Sequence, residues 1–230
     1  MMAGRDSRSL HRLTTPRAAG LAGVLFALLF GAAIILIRSA LPEGAAPGSQ
    51  WLEVGSTRLK VAALLMPFAG ICFLWFIGVV RDGLGSYEDR FFASVMVGSA
   101  LLFLAMMFVS SAVGFGLVAG SDLAGPGAAT SDVAMFGQMV VLALSKTYAI
   151  RMAAVFMISL ATIWLKTGLM SRWLIWASYL TAVTLLIASE MSMWLVLAFP
   201  AWVLVVGILA LARSGVIDLR VHEHAGNRSR

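Results

Sequence analysis

Six apolar runs separated by short polar segments make up most of the chain. Each run is long enough, at 1.5 Å per helical residue, to cross the roughly 30 Å of hydrocarbon in a bilayer. The runs are Ala18–Ile37, Val61–Val80, Phe91–Val118, Lys146–Leu165, Trp173–Ser189 and Trp194–Ala212. We therefore predict an all-α integral membrane bundle of six transmembrane helices over residues 18–213, between a basic tail at 1–17 and a second tail at 214–230.

One mostly apolar stretch, residues 133–145, lies between the third and fourth runs. The predicted topology leaves it on the outer side of the membrane. It forms either an interfacial helix in the headgroup region or the outer end of one long tilted helix that continues into the fourth run. The residues themselves do not favour one alternative over the other.

Lysine and arginine are concentrated on one side of the six runs. With the N-terminus in the cytoplasm, twelve of the 17 basic residues lie on the cytoplasmic side and three on the outer side, while Lys146 and Arg151 lie within the fourth run. An excess of basic residues in short cytoplasmic loops is the usual orientation signal of membrane proteins. We therefore predict that both termini are cytoplasmic and that the protein lies in a bacterial plasma membrane.

The composition excludes an ordinary soluble domain. Of the 230 residues, 60% are hydrophobic and 12% are charged, whereas soluble domains contain roughly 45–50% and 25%. The net charge of +6 does not indicate nucleic-acid binding, because the basic residues flank apolar runs instead of clustering on a soluble face. The lipid bilayer is the predicted partner, and no nucleic acid is expected.

Residues that could carry catalysis or hold a cofactor are scarce within the six runs. All three histidines, His11, His222 and His224, lie in the tails, and Cys72 is the single cysteine. No aspartate occurs within the runs, so neither an aspartyl dyad nor a midplane aspartate for proton transport can form there. We expect His222 and His224 to lie in a solvated tail rather than in a metal site. These features predict a non-enzymatic protein with no catalytic residue, cofactor or metal.

Lys146, Arg151 and Glu190 form a candidate polar site on the outer side. Lys146 reaches the predicted outer boundary of the fourth run, and Arg151 lies five residues deeper, or about 7.5 Å. Both cations can snorkel, because their long aliphatic stems carry the charge to the headgroups without a partner. Alternatively, Arg151 pairs with Glu190, which lies at a similar depth near the outer end of the fifth run. Both alternatives stay open, and the hypothesised pair is testable.

Small residues recur every four positions along the first run, at Ala19, Gly23, Ala27 and Gly31. On a helix they form one smooth stripe that lets a neighbouring backbone come close. That neighbour is either another span of this chain or a separate subunit, which would be a membrane protein partner or a second copy.

Two prolines lie within the apolar runs. Pro67 and Pro200 are expected to kink the second and sixth helices about 9 Å from their outer ends, because each proline frees a backbone carbonyl. Such kinks either open a functional cavity on the outer side or serve the packing of the bundle.

Two stretches carry a resemblance to known proteins. The segments "RDGLGSYEDRFFA" at Arg81–Ala93 and "YAIRMAAVFM" at Tyr148–Met157 resemble parts of a family of bacterial multi-pass, six-helix membrane proteins with no known activity. The resemblance covers a small part of the chain. It implies a six-helix bacterial membrane protein and identifies no catalytic or binding residue.

These features together predict a non-enzymatic accessory or scaffold component of a bacterial plasma-membrane complex. The scarcity of catalytic groups and the small-residue stripe favour this function. The alternative is a small-solute transporter or channel with an outward-facing site near Arg151 and Glu190, which the two prolines favour. An enzymatic interpretation, in which Lys146 and Arg151 hold a lipid phosphate while another chain supplies the chemistry, has less support.

Overall fold

The computed structural model describes residues 15–40, 50–84, 90–124, 131–188 and 192–213, and nearly all of them are helical. A π turn, Ala143–Tyr148, joins the fourth α-helix to the fifth, and a 3-10 turn, Met193–Leu197, precedes the last. The α-helices in these ranges are α1 (Thr15–Ala40), α2 (Gln50–Leu84), α3 (Arg90–Ala124), α4 (Ser131–Leu142), α5 (Ala149–Thr167), α6 (Arg172–Ala188) and α7 (Ala198–Arg213). The predicted all-α class is confirmed, and the described ranges contain no strand.

Five helical segments are long and apolar enough to cross a membrane. Within the described part of the chain they are Arg17–Ala40, Ser56–Asp82, Arg90–Leu123, Asp132–Thr167 and Trp194–Arg213. The predicted run Trp173–Ser189 corresponds to α6, an apolar helix of 17 residues and therefore about 26 Å long. The fold thus supports an apolar, membrane-embedded helical bundle, in which α6 is at the short limit for a spanning helix.

Three helical segments are much longer than a bilayer is thick. α2 and α3 each have 35 residues, and α4, the π turn and α5 form one continuous segment that we call the long helix. At 1.5 Å per residue each of the three extends about 50 Å, against about 30 Å of hydrocarbon. Residues 133–145 therefore continue into the fourth predicted span as one long helix, and they do not form a separate interfacial helix.

The helices pack side by side in an order that departs from chain order at α7. α1 packs against both α2 and α7, α3 packs against α2 and α5, and α6 packs mainly against α5. α6 and α7 touch each other little. The bundle is thus a ring of antiparallel neighbours, α7–α1–α2–α3–α5–α6, with its loosest junction between α6 and α7.

Phenylalanine side chains fill the middle of the bundle. The Phe73 ring on α2 lies at their centre, with its centroid 4.5 to 6.2 Å from the centroids of five other phenylalanine rings. Those rings, all buried, are Phe26, Phe76, Phe103, Phe156 and Phe199. Edge-to-face and offset contacts at these distances are favourable beyond the area they bury. One aromatic cluster therefore joins α1, α2, α3, α5 and α7.

The small-residue stripe on α1 packs largely inside the chain. Ala19 and Ala27 are buried, and a Cβ atom placed on Gly23 would come within 3.0 Å of the Phe76 ring. Gly31 differs, because a Cβ atom there would meet nothing within 4 Å. For the first part of the stripe the neighbour is therefore another span of the same chain.

A close approach of two helix backbones involves a glycine beside that stripe. A Cβ atom on Gly20 would lie 2.8 Å from the carbonyl oxygen of Gly207 on α7 and 2.5 Å from Cγ of Leu211. A Cβ atom on Gly207 would lie 3.0 Å from the carbonyl oxygen of Gly20. Only glycine at both positions permits this contact between α1 and α7.

The two prolines occupy different local structures. Pro67 lies inside α2, beside a cavity of about 200 Å³ between α2 and α3 that Phe108 and Ser111 help to line. Pro200 is the third residue of α7. Its missing N–H costs no hydrogen bond within this helix, because N–H groups in the first turn of a helix have no partner there. The sixth predicted helix therefore changes from 3-10 to α geometry just before Pro200.

Candidate functional site at the Arg38 end

The two ends of the bundle differ in where their charges lie. One end, called here the Arg213 end, has a cation near the terminus of each helix that reaches it: Arg17, Arg81, Arg90, Lys166, Arg172 and Arg213. The opposite end, called the Arg38 end, contains Arg38, Arg58, Lys60, Lys146 and Arg151. The Arg38 end is the candidate site, because it places a charged side chain inside the bundle.

Arg38, in the last turn of α1, has 1% of its surface exposed. Its Nη2 atom donates a hydrogen bond of 3.0 Å to Oγ of Ser145 in the π turn. An arginine at the centre of a membrane helix costs about 2.5–3.5 kcal/mol on insertion scales, so such residues persist mainly where they pair or function. Arg38 is therefore the residue from which a site at this end is built.

The π turn holds Ser145 in place. The Ser145 hydroxyl donates a 2.6 Å hydrogen bond to the carbonyl oxygen of Val141, and the Ser110 hydroxyl on α3 donates a 3.1 Å bond to the same oxygen. Both serines are buried. A π turn breaks the regular hydrogen-bond pattern of an α-helix and is frequent at functional sites. One connected network, from Arg38 through Ser145 and Val141 to Ser110, thus joins α1, the long helix and α3.

This network lies at the level where hydrocarbon would end. Twenty residues, or about 30 Å, separate Lys166 from Lys146 on the long helix and Arg90 from Ser110 on α3. If the cations of the Arg213 end mark one surface of the hydrocarbon core, the network marks the opposite surface.

Polar contacts at the rim of the Arg38 end are more accessible to water. Arg58 Nη1 donates a 3.0 Å hydrogen bond to the carbonyl oxygen of Ser39, which joins α2 to α1. Lys60 Nζ and Asp122 Oδ2 form an ion pair of 2.6 Å between α2 and α3, with 45% and 52% of their side chains exposed. An exposed pair of this kind contributes about 1 kcal/mol or less.

The predicted site residues have different outcomes. Lys146 lies in the π turn, and Arg151 donates a 2.9 Å hydrogen bond from Nη1 to the carbonyl oxygen of Thr147, one turn earlier. Both cations are half-buried. Glu190 lies outside the described residues, so its pairing with Arg151 stays a prediction. The structure places Arg38, and not Arg151, in the fully buried position.

The first apolar run ends at Ile37, so apolar length alone places Arg38 among the three basic residues on the outer side. In the structure α1 continues to Ala40, so Arg38 lies in the last turn of this helix and not in a loop. The sequence does indicate that the helix extends past Ile37, because Pro42 is the first residue after the run that disfavours further helix. The contact with Ser145 joins residues 107 positions apart, so the sequence around Arg38 does not indicate it.

The comparisons with known proteins add nothing to this picture. No protein-family model, curated protein or solved structure matches the chain. The functional interpretation therefore rests on the geometry at the Arg38 end. A guanidinium suits a carboxylate or phosphate group, and the described residues include no cluster of three or more His, Cys, Asp or Glu side chains that could hold a metal ion.

Proposed function

We propose that the protein is a non-enzymatic accessory or scaffold component of a complex in a bacterial plasma membrane. In this proposal both termini lie in the cytoplasm, so the Arg38 end faces outward. The partner docks on the exposed face of α4, which is the part of the long helix beyond the π turn.

The exposed apolar face of α4 is the observation that carries the proposal. Val133, Phe136 and Met139 recur every three residues on one broad side of the helix, and 56–71% of each is exposed. This face extends beyond Lys146, where 30 Å of hydrocarbon counted from Lys166 would end. Contiguous apolar surface outside the hydrocarbon marks an interaction site, and a partner would remove it from water.

The packed centre supports this role over transport. Phe73 and the rings around it are buried and in mutual contact, so a solute that crossed there would have to displace them. A scaffold needs no such path.

A small-solute transporter or channel is the second candidate function. The buried guanidinium of Arg38 favours it, because a positive charge close to the outward end would attract an anionic solute. Arg151 and Glu190 belong to the same end by sequence position and would complete that site.

Purification in mild detergent, with two matched variants, tests the proposal. We expect a stoichiometric partner with the unaltered chain and loss of that partner in Phe136→Ser, because the substitution removes a large apolar side chain from the docking face. Leu180→Ser is the control: Leu180 is 70% exposed, as Phe136 is 71% exposed, but it lies on α6 within the predicted hydrocarbon. The partner should remain bound to this variant.

Two results would contradict the proposal. If both variants keep the same partner, α4 is not the docking face. If the purified protein alone moves small anions into liposomes and Arg38→Gln abolishes that movement, the transporter function replaces the scaffold function.

A further inference from the structure

Two arginines, Arg172 and Arg213, lie at one corner of the Arg213 end. Nη1 of Arg213, the last residue of α7, donates a 2.5 Å hydrogen bond to the carbonyl oxygen of Leu169 in the turn between α5 and α6. Arg172 lies three residues after Leu169 and is exposed, whereas the Nζ atom of Lys166 lies 4.5 Å from the centre of the Phe92 ring on α3. The hydrogen bond therefore brings the end of α7 to the turn that leads into Arg172.

An apolar groove begins at Trp173, the residue after Arg172. It lies between α6 and α7, which touch little, and has a volume of about 310 Å³. Its lining includes Trp173, Leu174, Ala177, Thr181, Ala201 and Trp202. From Trp173 to Thr181 it extends about 12 Å along α6, which is enough for the upper part of an acyl chain.

The polar atoms near the groove are already bonded within the protein. Nε1 of Trp202 donates a 2.8 Å hydrogen bond to Oγ of Ser178, and the Thr181 hydroxyl donates a 2.8 Å bond to the carbonyl oxygen of Ala177. The groove therefore offers an occupant apolar contact rather than hydrogen bonds. An acyl chain fits this surface, and a polar solute does not.

We propose that this corner binds an anionic phospholipid, with the headgroup phosphate at Arg172 and Arg213 and one acyl chain in the groove between α6 and α7. Charge complementarity selects the lipid class, because neither residues 166–188 nor residues 192–213 contain an acidic side chain. Basic pockets between membrane helices are known to bind such headgroups. The proposal is independent of the scaffold function, since it concerns the opposite end of the molecule.

Native mass spectrometry of the purified full chain tests this proposal. The protein is released from a neutral detergent in the presence of dioleoyl phosphatidylglycerol, dioleoyl phosphatidylcholine or inorganic phosphate. We expect one phosphatidylglycerol molecule to stay bound under conditions that remove phosphatidylcholine. We expect inorganic phosphate to leave no adduct, because it lacks the chain that fills the groove.

Three variants locate the lipid. Arg172→Gln should weaken phosphatidylglycerol binding about fivefold, the effect of one charge at a membrane surface. Ala201→Phe should weaken it as well, because Ala201 is exposed and lines the groove, which the new ring would occupy. Arg81→Gln removes one equally exposed charge from the same end, but on α2, which α1 separates from α7. This variant should bind as the unaltered chain does.

Three outcomes would overturn the proposal. Equal retention of phosphatidylcholine would show that charge does not select the occupant. An equal loss of phosphatidylglycerol in Arg81→Gln would show that the whole basic end attracts lipid without a site. A stable adduct with inorganic phosphate alone would show that the corner binds a small anion instead of a lipid.

Discussion

The middle of the bundle and its Arg38 end are both buried, but different interactions hold them together. In the middle, Phe73 contacts rings from four neighbouring helices, and such contacts depend less strongly on direction than hydrogen bonds do. At the Arg38 end, Arg38, Ser145 and Ser110 are linked through hydrogen bonds of 2.6 to 3.1 Å, which depend strongly on direction.

This difference indicates what each region contributes to the fold. The aromatic middle should accept apolar side chains of similar volume, because close packing is its main requirement. The Arg38 end should accept few replacements, because each would leave a buried donor or acceptor without its partner. We infer that the aromatic cluster contributes packing energy between five helices, whereas the network sets how α1, α3 and the π turn are aligned.

The largest expected effect is the loss of the central ring. Phe73→Ala should lower the free energy of unfolding by about 3–5 kcal/mol, because it leaves a cavity where five helices meet. Phe68→Ala on the same helix is the control, since Phe68 is mostly exposed to lipid. Unfolding in detergent by heat or by titration with sodium dodecyl sulfate measures both. Equal losses in the two variants would mean that the cluster is no more important than the surface.

Added volume should also be costly in the apolar part of the bundle. Gly20→Ala should lower stability by about 1–3 kcal/mol, because the new Cβ atom would lie 2.8 Å from the carbonyl oxygen of Gly207. Gly31→Ala, on the same helix, should be neutral or stabilising by up to about 1 kcal/mol, since its Cβ atom meets nothing within 4 Å. The same unfolding measurement applies. A milder loss for Gly20→Ala than for Gly31→Ala would refute the close contact of α1 with α7.

A smaller effect is expected for Arg151. If Arg151 pairs with Glu190, then Arg151→Ala and Glu190→Gln should each destabilise the bundle, and the double change should cost less than their sum by about 1 kcal/mol. Detergent melting of the two single variants and the double variant gives this difference. Additive losses would identify Arg151 as a snorkelling residue bonded to the carbonyl of Thr147.

The smallest effect is expected at the exposed rim. Lys60→Ala and Asp122→Ala remove an ion pair whose two side chains are about half exposed, so each should change stability by about 1 kcal/mol or less. Because salt screens such a pair, the change should shrink further in high salt. A loss as large as that of Phe73→Ala would show that the rim, rather than the middle, holds the helices together.

The helices themselves could be predicted because apolar length is a strong signal. A continuous apolar run of 20 residues such as Val61–Val80 satisfies its own backbone hydrogen bonds within a bilayer as a helix, so apolar length predicts these elements. Their ends are less certain, since α2 begins at Gln50, well before the apolar run does. The continuation of α4 into α5 was one of two open alternatives, because an apolar stretch of this length fits both an interfacial and a continuous helix.

The network at the Arg38 end could not be predicted because it depends on distant contacts. Nothing in the segment Ala143–Tyr148 distinguishes a π turn from an α-helix, and Arg38 meets Ser145 only after both helices have packed. The contact of Gly20 with Gly207 has the same origin. The regular spacing of small residues such as Ala19 and Gly23 can be read from the sequence of one helix. The residues that they contact belong to another helix and depend on how the two helices pack.

The most direct test of this account is a double-mutant cycle on Arg38 and Ser145. Arg38→Met keeps much of the side-chain volume and removes the donors, and Ser145→Ala removes the acceptor. We expect a coupling of about 1.5–3 kcal/mol between them in detergent unfolding, the range for a hydrogen bond to a charged group. Arg38→Met combined with Ser159→Ala should be additive, because the Ser159 hydroxyl bonds the Val155 carbonyl of its own helix. Additive losses for Arg38 and Ser145 as well would contradict the network on which the Arg38 end is built.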